Sequence, residues 1–466
     1  MADGIERDLR RLAGEMPILS GGSAAPYRHD QTIQRGIAGE PAAVVLPTSL
    51  RQLACVVAYC HRQGLAIVPR GGGTGLVGGA TPLGGEVVVS TELLRSFSWK
   101  EEALGLLAVE AGVSTATVAR LARERGWYFG PDPGGADRST IGGNVATNAG
   151  GPHALKYGRT GAYVVGVRAV VGEGELLELG EWGRREGGGY DLLGLLVGSE
   201  GTLGIVAEVV LRLRPAPGAT AAGAVVCSDP QSCQAAVVAI LESGLAPAVL
   251  DFVDGATAAA ASGSSPLAQR GVGAEEVVLL VEADGGDGPE AHRRLRDIFM
   301  LVSEVGDCRA DRLPGAALWE WRDGLGPFAA AELGGRVADD VYCPPPKLAR
   351  ALAGIRALGA RYRVPCRIWG HAGEGVVHAS FLFARELAEQ RAAAESAAEE
   401  ALDLILSLGG GICGEHGVGV VKARRYAQIT DPALLQREWA LKEAIDPGGL
   451  FNPGKKLLAP QPAKAG

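Results

Sequence analysis

The sequence predicts an α+β protein of two unlike halves closed by a glycine-rich tail. Three observations carry this. Up to about residue 216, strand and helix patterns alternate between three long glycine-rich stretches. Beyond it, amphipathic helices alternate with apolar strands, the pattern of an antiparallel sheet covered by helices. The glycines, 70 of 466 residues, cluster without a repeat period. That excludes a collagen-like chain and points to tight turns and close approach of backbone to a ligand. Segments 1–40, 41–218, 219–408 and 409–466 are expected as an N-terminal helical piece, a first domain, a second domain and a returning tail.

In chain order, residues 5–16 read as a short amphipathic helix. Strand 43–47, helix 49–64 and strand 65–70 follow, with Ser49 as N-cap and Gly64 beyond the helix end. Residues 105–112 alternate like a strand, 114–126 read as a capped helix, and 130–151 as a long loop. A hairpin over 164–180 and a strand over 201–215 complete this half, and 216–222 reads as a linker. Helices are expected at 231–244, 288–306, 347–362 and 384–408, a strand at 277–285 and a hairpin at 366–383.

Composition bounds the function. With 45 Lys+Arg against 53 Asp+Glu the net charge is −8, which opposes a nucleic-acid footprint. No two of the eight cysteines have C-x-x-C spacing, so neither a zinc ribbon nor an iron–sulfur cluster is indicated. The N-terminus has no signal-peptide core, and no run approaches about 18 uncharged apolar residues. A cytoplasmic protein without a membrane span is expected, or one held at a membrane surface within a complex.

Gly73-Thr74-Gly75-Leu76-Val77-Gly78 matches G-x-G-x-x-G after a strand. A nicotinamide dinucleotide site needs a helix to begin inside that motif. Pro82, Gly84 and Gly85 forbid one, so the run reads as a nest of backbone N–H groups. A second stretch holds Pro131, Asp132, Pro133, Thr140, Gly142, Gly143, Asn144, Thr147, Asn148, Gly150 and Gly151. A third is Gly198–Ile205. Three such loops in one half suggest a long ligand lying across many backbones, and a dinucleotide fits that best.

The segments PRGGGTGLVGGATP, PDPGG…STIGGNVATNAGGPHALKYG and LVGSEGTLGIVAEV resemble the FAD domain of the vanillyl-alcohol oxidase / p-cresol methylhydroxylase superfamily. Nearest is its branch of glycolate oxidase FAD subunits, D-lactate dehydrogenases and D-2-hydroxyglutarate dehydrogenases. The resemblance covers about 40–458. It implies a two-part FAD domain over 41–218 and a substrate (cap) domain over 219–408, with 409–466 completing the site. It implies that Pro69, Arg70, Gly71, Gly72, Gly73, Thr74 and Gly75 wrap the pyrophosphate. Pro131, Asp132, Thr140, Gly142, Gly143, Asn144, Thr147 and Gly150 would line the flavin, with Glu200, Gly201, Gly204 and Ile205 near the adenosine or ribityl part. Asn452 joins them from the tail. The 70–75 run has no histidine, so non-covalent FAD is expected.

In GHAGEGVVHASF, a two-residue turn at Glu374-Gly375 would set His371 opposite His378, with Cβ atoms about 4.5–5.5 Å apart. Such a pair suits one divalent metal or a purely structural contact. Gly414-Glu415-His416-Gly417 places an acid and a base side by side between glycines. The resemblance implies that His371, His378 and Glu415 ligate a divalent metal (Zn, Mn or Fe) and that His416 is the catalytic base. Glu374 and Val376 depart from the family's usual Asp and Asn. In Trp319-Glu320-Trp321-Arg322, the resemblance assigns Arg322 to the substrate carboxylate.

These parts predict FAD-dependent oxidation of a short 2-hydroxy acid, D-lactate or glycolate, to the 2-oxo acid, with hydride passing to the flavin. Hydroxyglutarate enzymes carry a lysine where Ala338 or Asp339 stands, so no second carboxylate clamp is expected. The alternatives are a D-2-hydroxyglutarate dehydrogenase and a non-catalytic electron-transfer subunit. Iron–sulfur or electron-transfer-flavoprotein subunits, a quinone and oxygen stay open as acceptors, and a homodimer is compatible with the sequence.

Overall fold

The computed structural model describes residues 2–181, 189–268 and 271–459. In the first half, strands Ile18–Leu19, Ala43–Val45, Val87–Ser90 and Ile67–Arg70 lie side by side in that order. The last three pair in parallel, and the connecting helix Leu50–Gln63 buries Leu53, Val56, Val57 and Cys60 against them. Ser49 accepts from Gln52 N–H, and Gly64 closes the helix at φ 62, a left-handed cap that glycine takes without a Cβ penalty. A second, antiparallel sheet runs Phe97–Glu101, Leu106–Glu110, Ile205–Arg212, Val164–Val171, Glu175–Gly180.

One expectation here is corrected. Residues 130–151 are not all loop: Ile141–Thr147 is a helix, with Thr140 accepting from Gly143 N–H. Gly142 and Gly143 made it read as coil. A Cβ on Gly142 would lie 2.6 Å from that of Ala111, so the glycine lets the helix sit on the neighbouring strand.

Strand Ala219–Cys227 begins inside the 216–222 segment and opens a seven-stranded, wholly antiparallel sheet. Its order is Cys308–Arg312, Ala219–Cys227, Val277–Gly285, Val249–Asp254, Cys366–His371, Val376–Ala384, Gly334–Tyr342. Helices Pro230–Glu242, Gly288–Val305, Leu348–Tyr362 and Ala388–Ser407 cover one face over a large apolar core. The other face carries helix Gly315–Glu332 through Leu318, Trp321 and Leu325. Elsewhere that face is polar and looks toward the glycine loops. Among the described residues no helix is long and apolar enough to cross a membrane.

Candidate active site

The polar face of the second sheet gathers His371, His378, Asp251 and Asp340, and the tail loop brings Glu415 and His416 to them. The hairpin register differs from the expected one. His371 pairs with Val376, and His378 pairs with Trp369. The connection has four residues, closed by Glu374 N–H on His371 O and by Gly375 at φ 73. The histidines are therefore diagonal neighbours on one face, with ring centroids 5.6 Å apart.

The cluster survives the shift. Glu415 Oε1 lies 3.5 Å from His371 Nε2 and 3.3 Å from His378 Nε2. One ligand atom from each residue falls within 4.8 Å of the others. Asp251 Oδ1 is 2.8 Å from His371 Nδ1, which turns Nε2 toward the cluster as a carboxylate partner does for a metal-binding imidazole. Burial and the neighbouring His416 and His371 push His378 down to about 4, against the pull of Glu415, so this imidazole is neutral. Burial opposes ionisation of Glu415, but His371 and His378 hold its carboxyl well below the usual range. At His371 burial favours the neutral ring, and Asp251 and Glu415 outweigh it, raising it to about 10. Two buried imidazoles and a carboxylate converging on one point fit a divalent cation, which would take the place of that proton.

His416 is positioned from below. Its Nδ1 lies 3.2 Å from Asp340 Oδ1, and its Nε2 is 3.8 Å from Glu415 Oε1. The ring stacks on His378 at 5.1 Å. Asp340 Oδ2 accepts the backbone N–H groups of Gly414, Glu415 and His416 at 2.9, 2.5 and 2.8 Å. Its Oδ1 accepts Lys422 Nζ at 2.7 Å. Burial penalises the charge on Asp340, but His416 and Lys422 keep it ionised. One fully buried carboxylate thus shapes the Gly-Glu-His-Gly loop and orients its imidazole.

Arg322 projects from helix Gly315–Glu332 into the same place. Its Nε donates to Asp251 at 2.8 Å, and Nη2 lies 3.3 Å from His371 Nε2. Nη1 is 3.6 Å from Asp323.

Of these groups, Arg322, Asp323, His378, Glu415 and His416 border a cavity of about 600 Å³ that the glycine loops also wall. Pro69, Arg70, Gly71, Gly72, Gly73, Thr74 and Gly75 line it, as do Thr140, Gly142, Gly143, Asn144, Thr147, Gly150, Glu200, Gly201, Gly204 and Ile205. Several serve the loops with their side chains. Arg70 donates to the carbonyls of Pro26, His29 and Ala80, and Glu200 accepts from Val418 and Gly419 N–H. Four expected residues are not on the cavity wall, His371 among them, buried behind His378 and Glu415. Pro131 and Asp132 lie behind the wall, where Asp132 meets His153 at 2.5 Å. Asn452 braces the loops from outside, donating to Gly79 O and Glu200 O. The fit to a flavin dinucleotide rests on this long glycine-walled cavity facing an acid–base cluster.

Asp251, Lys422, Ser380 and Arg336 escaped the sequence reading; Asp340 belongs to a family-like segment, Asp340-Val341-Tyr342-Cys343-Pro344, to which the sequence assigns no role. Asp251 sits in Val249–Asp254, which is buried along its whole length and shows no alternation. Arg336 and Ser380 were hidden because charged and polar residues in a strand ordinarily read as solvent-facing.

Residues 41–180 match the family described as FAD binding domain, and 216–456 match FAD linked oxidases, C-terminal domain. The chain is 32% identical over 425 residues to glycolate oxidase subunit GlcD of Escherichia coli K12, covering 90% of this chain and 84% of that one. It is 31% identical to a D-lactate dehydrogenase of Anaerostipes hadrus, covering 92% of each chain. It is 29% identical to the mitochondrial D-2-hydroxyglutarate dehydrogenase of Arabidopsis thaliana, covering 90% of this chain and 75% of that one. Among solved structures, substrate-bound p-cresol methylhydroxylase superposes with a TM-score of 0.82 at 17% identity, over 97% of this chain and 96% of that one. With an FAD binding domain followed by the C-terminal domain of FAD linked oxidases, the chain belongs to the FAD-linked oxidases and shares the fold of p-cresol methylhydroxylase.

Proposed function

We propose that this enzyme oxidises a 2-hydroxy acid to the 2-oxo acid and passes the electrons to a separate acceptor. The observation that carries this is the clustering of His371, His378 and Glu415, of which His378 and Glu415, with His416 beside them, reach the cavity walled by the glycine loops. A subunit that only relays electrons has no use for a buried acid–base cluster.

Bound FAD would supply the hydride acceptor for the α-hydrogen, and a divalent cation would supply the Lewis acid that lowers the pKa of the α-hydroxyl. Arg322 pairs with the substrate carboxylate through its Nη groups, Nε being committed to Asp251. His416 takes the hydroxyl proton at Nε2. Asp340 holds Nδ1, fixing the tautomer and stabilising the imidazolium that forms. His371, His378 and Glu415 would hold the cation. Glycolate and D-lactate are the smallest acids that satisfy these contacts. Among the described residues the cavity lining holds no cysteine or tyrosine, and its histidines are His378 and His416, both used here, which supports FAD held without a covalent bond.

A panel of D- and L-2-hydroxy acids with a dye acceptor tests this. Turnover of at least one enantiomer series is expected, and inactivity toward all of them in FAD- and metal-loaded protein overturns it.

A further inference from the structure

The cavity holds two polar groups that the chemistry above leaves unused. Arg336 lies on strand Gly334–Tyr342, is 8% exposed and lines the cavity. Among the described residues no carboxylate lies within ion-pair reach of it. Its Nε donates to Gln34 Oε1 at 2.6 Å and its Nη1 to Gly326 O at 2.9 Å. Burial and the nearby Arg35 lower it to about 10. A buried guanidinium without a counter-ion is costly, and it is tolerated where an anion completes it. The second group is Ser380 on strand Val376–Ala384, 1% exposed, whose Oγ has no hydrogen-bond partner though it lines the same cavity.

Their placement is ordered. Asp340 pairs with His378, Ala338 with Ser380, and Arg336 with Leu382. These pairs are successive rungs on one face, about 7 Å apart along the strands. Leaving the metal cluster along that face, the next polar group met is Ser380, and then the Arg336 head. Gly326, which accepts from Arg336, is one helical turn beyond Arg322, about 6 Å along the axis.

We propose that Ser380 and Arg336 form a subsite for the far end of the substrate, so that the preferred 2-hydroxy acid carries a second anionic group. This rests on the oxidation reading above and reverses the preference expected from residues 338–339. Ala338 offers no charge, and Asp339 is held by Arg35 at 2.9 Å. Arg336, one rung farther along, supplies the cation. The two aspartates on the cavity wall, Asp323 and Asp339, each already face another arginine.

The test is calorimetric binding of 2-oxoglutarate and 2-oxopentanoate to the oxidised, FAD- and metal-loaded protein. These share chain length and differ in the terminal carboxylate. The proposal expects 2-oxoglutarate to bind at least about 10-fold more tightly, the worth of one charged hydrogen bond. Arg336→Gln should remove that advantage and leave the affinity for 2-oxopentanoate within about twofold. Ser380→Ala, which disturbs no hydrogen bond of the protein, should weaken 2-oxoglutarate alone. Equal affinities in the wild type, or equal losses for both ligands in Arg336→Gln, overturn the subsite. Bleaching of the flavin by 2-hydroxyglutarate and 2-hydroxypentanoate reports separately on the oxidation reading. If both bleach it at the same kcat/KM, the subsite is wrong and the oxidation stands.

Discussion

Asp340 and His416 are joined twice. The carboxylate receives the backbone N–H of His416 at 2.8 Å on one oxygen and faces its Nδ1 at 3.2 Å with the other. The same side chain therefore sets both where the imidazole stands and which nitrogen is left for chemistry.

His416→Ala should keep FAD and metal, because the imidazole's role is proton removal. Its kcat should fall by about 10²–10⁴-fold, the worth of a positioned base. Steady-state turnover with a dye acceptor checks this; a near-normal rate means that another group is the base.

Asp340→Asn should destabilise the fold by about 3 kcal/mol, because it leaves Lys422, 1% exposed, with only the more distant Asp339 carboxylate at 3.7 Å to balance its charge. Asp340→Asn combined with Lys422→Met should recover part of the loss, since no charge is then stranded. Urea midpoints at neutral pH measure both.

Chelation should abolish turnover while the flavin spectrum stays intact. His378→Ala should bind metal at least about 10-fold more weakly, as loss of one of three protein ligands requires. Full activity in metal-free protein contradicts the assignment of His371, His378 and Glu415.

Acid precipitation should release the flavin into the supernatant. Yellow colour retained by the pellet would establish a covalent bond.

His153 joins the two halves, with Asp132 on one side and Glu282 at 3.1 Å on the other. Burial favours the neutral ring, but Asp132 and Glu282 raise it to about 10. The folded pKa lies above the unfolded value, so its contribution is complete below about pH 6.5 and is lost as pH rises toward 10. Tm should fall by several degrees over that window, and His153→Gln should flatten the fall. A wild-type Tm unchanged to pH 10 contradicts it.

Much of this was legible in the chain because local rules agreed with the fold. The Ser49 and Gly64 caps and the glycine loops each follow from residue chemistry at fixed spacing. The hairpin register did not, because turn length is set by contacts from elsewhere: Gly373 N–H donates to Leu250 O and Gly375 O accepts from Cys343 N–H. Asp251 and the role of Asp340 were illegible for a related reason. Their partners lie 120 and 76 residues away, and no local pattern announces a buried carboxylate.

The most direct measurement is a single anaerobic turnover. One equivalent of D-lactate is mixed with the FAD- and metal-loaded enzyme, and flavin absorbance and pyruvate are followed together. The account predicts that the oxidised flavin bleaches as pyruvate forms in equal amount, and that His416→Ala slows both by at least about 100-fold. Formation of pyruvate in the mutant at the wild-type rate, or an oxidised flavin that no 2-hydroxy acid bleaches, would contradict it.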